Sequence, residues 1–299
     1  MNMNYTFSRS AIIFTLVFSL SGCFDIADIP KLNSSWKVTD STQINDDQFG
    51  FVTDSSSTCP TFLTNTNNDM ADIQLPTEFG IAGWNIYKQD NDNWRAELTN
   101  LIEKNDLIVL QEAKLSFLLH QLMQQYELTW TQVEAFSVYK QSMGVLTASK
   151  VMPLSVCKQT LAEPWLRFPK SSLISYYPWA GSDEPLLVAN MHMINFTLGV
   201  DEFNQQLEGV ISVIRKYSGP VIMAGDFNTW TNKRLNQLLD ITASVDLQQL
   251  VYQNDVRETA FGHPLDDIYF RGMQQISASS YETEASDHNP IVARFGPLY

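Results

Sequence analysis

The chain has 299 residues, 44% of them hydrophobic and 17% charged. That is enough for one large globular domain or two small ones, and the composition is neither that of a disordered chain nor that of a membrane-spanning one. The formal net charge is -14, which disfavours tight non-specific nucleic-acid binding, because such binding needs a basic balance or patch to neutralise phosphates; weak, metal-assisted cleavage of a phosphodiester stays open.

The first residues stand apart. Arg9 precedes an apolar run over residues 11–20, too short for a finished transmembrane helix but suited to the core of a signal peptide. The run ends in Leu20-Ser21-Gly22-Cys23, which resembles the lipobox of bacterial lipoproteins: small residues admit the peptidase and the Cys23 thiol takes the lipid. An ordinary secretory leader with an incidental Cys is the competing reading. On the lipobox reading, residues 1–22 are a signal peptide and the mature chain is lipid-anchored in the cell envelope, facing the periplasm or the exterior. Phe24, standing where an Asp would retain the protein, points to the outer membrane. Loss of the leader removes Arg9 and leaves 18 of the 19 basic side chains against 33 acidic ones. In an oxidising compartment Cys59 and Cys157 can pair or remain separate thiols, and sequence gives no distance between them.

Residues 23–78 read as a polar tether, with loop signals at Ser55-Ser56-Ser57-Thr58 and Asn65-Thr66-Asn67-Asn68-Asp69 and a short edge-strand candidate at Phe49-Gly50-Phe51-Val52. The compact domain is expected over 79–299. It opens with a strand over 79–87. Asp92 or Asn93 caps a helix with apolar spacing Trp94, Leu98, Leu101, Ile102. A short buried strand over 107–110 and a helix over 115–126 follow. Strands are expected over 129–136, 144–148, 173–177 and 186–193. Asp201 caps a long helix that stops near Tyr217, before Ser218-Gly219-Pro220. The chain then runs through a buried strand over 221–224, a helix over 232–239, and closing strands near 268–270, 276–279 and 291–295. Many strands with helices at intervals imply sheets covered by helices, but this pattern alone does not separate a two-sheet sandwich from one open sheet.

Polar residues gather at the ends of the apolar strands, where a sheet scaffold exposes a site. The segments are Gly83-Trp84-Asn85-Ile86, Leu110-Gln111-Glu112-Ala113, Asn190-Met191-His192-Met193-Ile194-Asn195, Pro264-Leu265-Asp266-Asp267-Ile268, Ala224-Gly225-Asp226-Phe227-Asn228 and Ala285-Ser286-Asp287-His288-Asn289-Pro290. Together they offer Glu112, Asp226, Asp266 and Asp287 as hard oxygen ligands or proton handlers, with Asn85 and Asn228 as neutral amides. His192 and His288 can move protons near neutral pH. No Cys lies near a His at zinc-ligand spacing, and neither a Walker phosphate loop nor a Gly-x-Ser-x-Gly elbow is present. Asp267 reads as a solvated neighbour of Asp266, and His120, in a Leu-rich helical stretch, as structural.

The order of the Trp-Asn, Gln-Glu, Gly-Asp-Phe-Asn and Ser-Asp-His-x-Pro segments resembles the endonuclease/exonuclease/phosphatase (DNase I-like) superfamily, from about Phe79 to Phe295. Within it, Trp84-Asn85-Ile86-Tyr87-Lys88-Gln89, residues 195–201 and residues 218–226 are similar to a bacterial YafD-like subgroup. The resemblance implies an α/β (α+β) fold, a four-layer α/β/β/α sandwich with the site at one edge of two sheets. It implies Mg²⁺ or Mn²⁺ at Glu112, with Asn85 and Asp287 close to the same ion. His288 would be the general base, oriented by Asp266. Asp226 would position the water or protonate the leaving group, and Asn228 and His192 would bind the scissile phosphate. The expected substrate is a phosphodiester, in nucleic acid first and in phospholipid as the alternative, the latter suited by the lipid anchor and acidic surface. An inositol phosphatase fits less well, because Met223-Ala224 and Pro264-Leu265-Asp266-Asp267 depart from that group's pattern. A catalytically inactive binding lipoprotein is the reading from another class, opposed by the joint presence of Glu112, Asp226, Asp287 and His288.

Overall fold

The computed structural model describes residues 24–25, 32–35, 73–162, 169–195, 197 and 199–298. Residues 1–22, read as a leader, Cys23, Cys59 and the strand candidate at 49–52 lie outside the described residues. Among the described residues, one sheet is built from β1 (Phe24–Asp25), β2 (Leu32–Ser34), β3 (Phe79–Asn85), β4 (Leu107–Lys114), β5 (Thr129–Val138), β6 (Gln141–Ser149), β15 (Gln274–Ser280) and β16 (Ile291–Gly296). Its order is β1-β5-β6-β4-β3-β16-β15, with β2 also on β5. The second sheet runs β11 (Gln248–Gln249), β14 (Asp266–Arg271), β10 (Val221–Asp226), β9 (Leu186–His192), β8 (Pro169–Tyr177), β7 (Ser155–Ala162). A small hairpin joins β12 (Thr259–Ala260) to β13 (His263–Pro264).

The sequence alternates at period two, and the alternation sorts its apolar residues onto two faces. Phe79, Ile81, Leu107 and Val109 of the first sheet meet Leu186, Val188, Ile222, Ala224, Ile268 and Phe270 of the second in one buried cluster. The intervening residues point outward. Ala82, Trp84, Ile108 and Leu110 pack under Leu98, Leu101 and Ile102 of α1 (Trp94–Lys104) and Leu119, Leu122 and Met123 of α2 (Phe117–Gln125). On the far side Leu187, Ala189, Met191, Val221 and Met223 pack under Phe203, Leu207, Val210, Ile211 and Ile214 of α3 (Asp201–Arg215) and Leu238 of α4 (Asn232–Ala243). The result is the four-layer α/β/β/α sandwich. Strands buried on both faces are continuous apolar runs for this reason. Truncating one of the inter-sheet side chains, such as Leu107→Ala, is expected to cost about 2–5 kcal/mol.

Several details differ from the sequence reading. Asn93 precedes α1 in a left-handed conformation and makes no side-chain cap bond, and Asp201 is the first residue of α3, where its charge meets the positive end of the helix. Ser116 and Thr231 are the side-chain caps, accepting from Leu119 N and Arg234 N. Strand β7 was not expected, since Lys158 and Gln159 interrupt its apolar pattern; both are buried by the neighbouring layers. Cys157 on β7 is disulfide-bonded. Ahead of Phe79, Leu75 is fully buried and bridges Trp179. No helix among the described residues is long and apolar enough to cross a membrane.

Candidate active site

Chain direction explains why the polar segments meet. Strands β3 and β4 are parallel, as are β9 and β10, so their C-terminal ends open on one edge of the sandwich. Strand β14 is antiparallel to β10, which sets its first residue, Asp266, opposite Asp226, while His192 pairs with Asp226 from the other side. Gly225 makes this junction possible: its φ is +149°, and a Cβ there would lie 1.9 Å from the Met191 carbonyl oxygen. The two sheets are tied together beside the site by Gln111 Nε2 donating to Asn190 Oδ1 at 2.8 Å and Asn190 Nδ2 donating to Leu146 O at 3.0 Å. In the site itself Asn85 Nδ2 donates to Asp226 Oδ2 at 3.0 Å. A bulge in β4 between Leu110 and Ala113 leaves Glu112 at φ 52°, which re-aims its carboxylate into the cleft.

His288 sits on the loop between β15 and β16 and is buried. Trp84 Nε1 donates to its carbonyl at 3.0 Å, and Ser286 Oγ donates to Asn85 O at 2.6 Å, so the loop is fastened to the end of β3. The ring Nδ1 donates to Asp266 Oδ2 at 2.5 Å, and Nε2 faces Asp226 Oδ2 at 4.0 Å. Burial opposes charging of the ring, but the Asp266 carboxylate, with Asp226 and Asp287 behind it, outweighs burial and raises the His288 pKa well above 6.5. Asp226 is buried, and burial raises its carboxyl above the ordinary value, against the opposing pull of His288 and His192.

Glu112 faces two ammonium groups and the His192 ring. Burial alone would raise its pKa, but Lys170, His192 and Lys88 together hold it at about 2. Lys88 Nζ lies 2.7 Å from Glu112 Oε2, and His192 Nε2 lies 3.7 Å from Oε1 and 3.5 Å from Asp226 Oδ2. Lys170 Nζ is 2.7 Å from His192 Nε2. An ammonium cannot accept, so the ring nitrogen accepts and the neutral ring carries its proton on Nδ1. Burial and Lys170 drive the His192 pKa down to about 4. His192 is therefore neutral at pH 7, and the donor nearest this corner of the cleft is Lys170.

The remaining predicted residues are placed as follows. Asn228 is buried at φ 50°; its backbone N–H donates to Asp226 Oδ1 at 3.0 Å and its Nδ2 to Met193 O at 3.0 Å, which locks the turn after β10. Asp287 is exposed at the cleft mouth, within electrostatic reach of Glu112 and Lys88. Asp267 is not the solvated neighbour expected of it. It is 4% exposed and holds Arg257 Nη1 at 2.8 Å, Tyr252 Oη at 2.8 Å and Gln249 Nε2 at 2.5 Å, because it points away from the cleft where Asp266 points in. Arg257 also donates to Asp266 O at 3.2 Å. His120 packs edge-on against Trp130 at 5.1 Å, a structural role.

Sequence reasoning gave no role to Lys88, Lys170, Arg234 or Arg257. Arg234 is 1% exposed and donates to the carbonyls of Ile194, Asn195 and Asn228 and to Thr197 Oγ1, underpinning the turns after β9 and β10. A charged residue at an apolar-face position of α4 was its only sequence signal. Lys88 lies three residues after Asn85; Lys170 offered no signal at all.

Comparisons with known proteins show the family and the fold. The model of the Endonuclease/Exonuclease/phosphatase family matches residues 82–288. The chain belongs to this family. A UPF0294 protein of Vibrio cholerae serotype O1 is 40% identical over 224 residues, covering 75% of this chain and 79% of that one. Among solved structures, the endonuclease/exonuclease/phosphatase from Bacteroides vulgatus superposes with a TM-score of 0.60 at 17% identity, covering 74% of this chain and 100% of the other. The human Nocturnin catalytic domain with bound sulfate anion gives 0.59 at 18% identity, covering 76% and 97%. Both likenesses show the shared fold. Enzymes of the family are metal-dependent phosphoesterases.

The residues present suit a divalent ion. Asp226, Asp266 and His288 each offer a donor atom within 4.8 Å of the others, a possible metal group. Asp266 Oδ1 is buried and receives no hydrogen bond, and Glu112 Oε2 faces the Lys88 ammonium at 2.7 Å. Carboxylate oxygens of this kind are what a hard cation takes. The 2.5 Å contact between His288 Nδ1 and Asp266 Oδ2 is a hydrogen bond, so those two atoms are already engaged with each other.

Proposed function

We propose that the chain is a metal-dependent phosphodiester hydrolase acting on nucleic acid, with His288 as general base. The observation that carries this reading is the Asp266–His288 pair, whose free Nε2 faces Asp226 across the same cleft that holds the ionised Glu112. Glu112 would hold Mg²⁺ or Mn²⁺, with Asn85 and Asp287 near the same ion. When bound, the ion supplies charge neutralisation at the phosphate, which attack by water on an anion requires. Asp266 keeps the His288 ring in the tautomer with Nδ1–H, leaving Nε2 to take a proton from water. Asp226, whose carboxyl is raised by burial, lies between the two histidines and is placed to orient that water or to hand a proton to the leaving group. Asn85 fixes the Asp226 carboxylate. Asn228 and His192 shape the phosphate subsite, and Lys170 adds a positive charge to it. The sulfate in the Nocturnin neighbour is a tetrahedral anion of the class this cluster of donors would accept.

Phospholipid is the second reading, favoured by the acidic balance of the chain and by its leader. We infer that Cys23 is lipidated and tethers the domain to the cell envelope, at the outer membrane. Labelled fatty acid should enter the wild-type protein and not Cys23→Ser; equal labelling of both would end that inference. Parallel assays on single- and double-stranded DNA, RNA and sphingomyelin decide the substrate. Turnover of sphingomyelin alone would replace the nuclease reading with the lipid one.

A further inference from the structure

Lys88 has no task in the reaction just described, yet its ammonium sits on the carboxylate assigned to the metal. Its backbone is held in an unusual state. Tyr87, Lys88 and Gln89 have φ of 47°, 54° and 61°, three consecutive left-handed residues that carry side chains, a conformation each disfavours. The turn persists because it is pinned on both sides. Tyr87 N donates to Asn85 Oδ1 at 3.1 Å and Asp90 N to Tyr87 O at 3.0 Å. Gln89 Nε2 donates to Lys114 O at 2.9 Å, and Ser116 Oγ donates to Gln89 Oε1 at 3.2 Å. The strained turn thus delivers Lys88 to the cleft from Asn85, itself beside the expected ion.

The contact it makes is close. Nζ is 2.7 Å from Glu112 Oε2, a charge-assisted pair of an ammonium and a carboxylate. The carboxylate side chain is 18% exposed and the lysine side chain 35% exposed, so the ammonium has solvent to withdraw into. Lys170 is differently placed, tied to His192 Nε2 at 2.7 Å. A divalent ion approaching Oε2 meets a unit positive charge already in its place, and the two cannot both occupy it.

We propose that Lys88 is a resident stand-in for the metal: it neutralises Glu112 when no ion is bound, must withdraw for the ion to bind, and so weakens and tunes metal affinity. This rests on the reading of Glu112 as the metal carboxylate. The test is Mn²⁺ binding without substrate, read as loss of the free-ion electron paramagnetic resonance signal. It uses the full chain as wild type, Lys88→Met, Lys88→Arg and Glu112→Gln, each checked for folding by circular dichroism. Lys88→Met should bind Mn²⁺ roughly ten-fold tighter or better, and Lys88→Arg, which keeps the charge, no tighter than wild type. Binding seen only in Lys88→Met would also support the proposal. A folded Lys88→Met that binds Mn²⁺ no tighter than wild type overturns it while leaving the metal role of Glu112 intact, provided Glu112→Gln has lost binding. If Glu112→Gln binds as wild type does, the metal reading of Glu112 and the proposal fall together.

Discussion

Asp266→Asn removes the charge that faces His288 and keeps the shape of the side chain. Two unit charges about 4 Å apart, the separation of the two charge centres in a pair whose nearest atoms are 2.5 Å apart, attract by roughly 4 kcal/mol at an effective dielectric near 20. The attraction favours the charged ring, so its loss moves titration of His288 to lower pH, with Asp226 and Asp287 still acting on the ring. His288 must be neutral to accept a proton, so in wild type kcat/KM rises with pH along a limb that lies above 6.5. In Asp266→Asn that limb moves to lower pH, while the plateau falls by about 10²–10⁴-fold because the ring loses its fixed tautomer. The assay is the pH dependence of kcat/KM on an activated phosphodiester, paired with ring-nitrogen NMR of the metal-free protein. Stability follows the same charge. A pKa raised in the folded state stabilises fully below the unfolded value of about 6.5, and that contribution disappears as pH rises through the folded value. The wild-type advantage over Asp266→Asn should therefore shrink in alkaline buffer. A variant whose ascending limb stays at the wild-type pH would refute the Asp266–His288 relay.

Three further outcomes follow from the surroundings of the site. Arg234→Leu strips the donor from three carbonyls and Thr197 Oγ1 and should lower unfolding free energy by about 3 kcal/mol or more in a urea titration. Arg257→Leu leaves the Asp267 carboxylate buried without its ion-pair partner, a loss of about 3–5 kcal/mol, whereas the double variant Arg257→Leu, Asp267→Leu should recover much of it in the same titration. Cys157→Ser opens the disulfide on β7 and should cost about 2–4 kcal/mol, with the wild type losing the same amount on reduction and the variant indifferent to reductant.

The central strands were legible because they are apolar on both faces and end in polar residues, a pattern that Leu107–Leu110 and Val221–Ala224 carry openly, whereas the two-sheet sandwich came from the family resemblance and not from the pattern. The strand β7 was not, because Lys158 and Gln159 are buried by layers that local pattern cannot register. Within the site, Glu112, Asp226, Asp266 and His288 were readable since each sits at a strand end in a recognisable order. The direction of a side chain was harder. Asp266 and Asp267 are adjacent in sequence, yet strand alternation sends one to the His288 ring and the other to Arg257. Lys170 reaches His192 across neighbouring strands, and no spacing along the chain marks such a contact.

The central claim is that a metal held at Glu112 and a base at His288 cleave a phosphodiester. It is tested most directly by the hydrolysis of DNA and RNA, with sphingomyelin alongside, by the chain lacking residues 1–22 in Mg²⁺, Mn²⁺ or EDTA, with a Glu112→Ala, His288→Ala double variant beside it. Turnover of nucleic acid that needs the metal and is lost in the variant is the predicted result. Turnover that persists in EDTA or in the double variant, or a folded wild type inert toward every substrate, would contradict it.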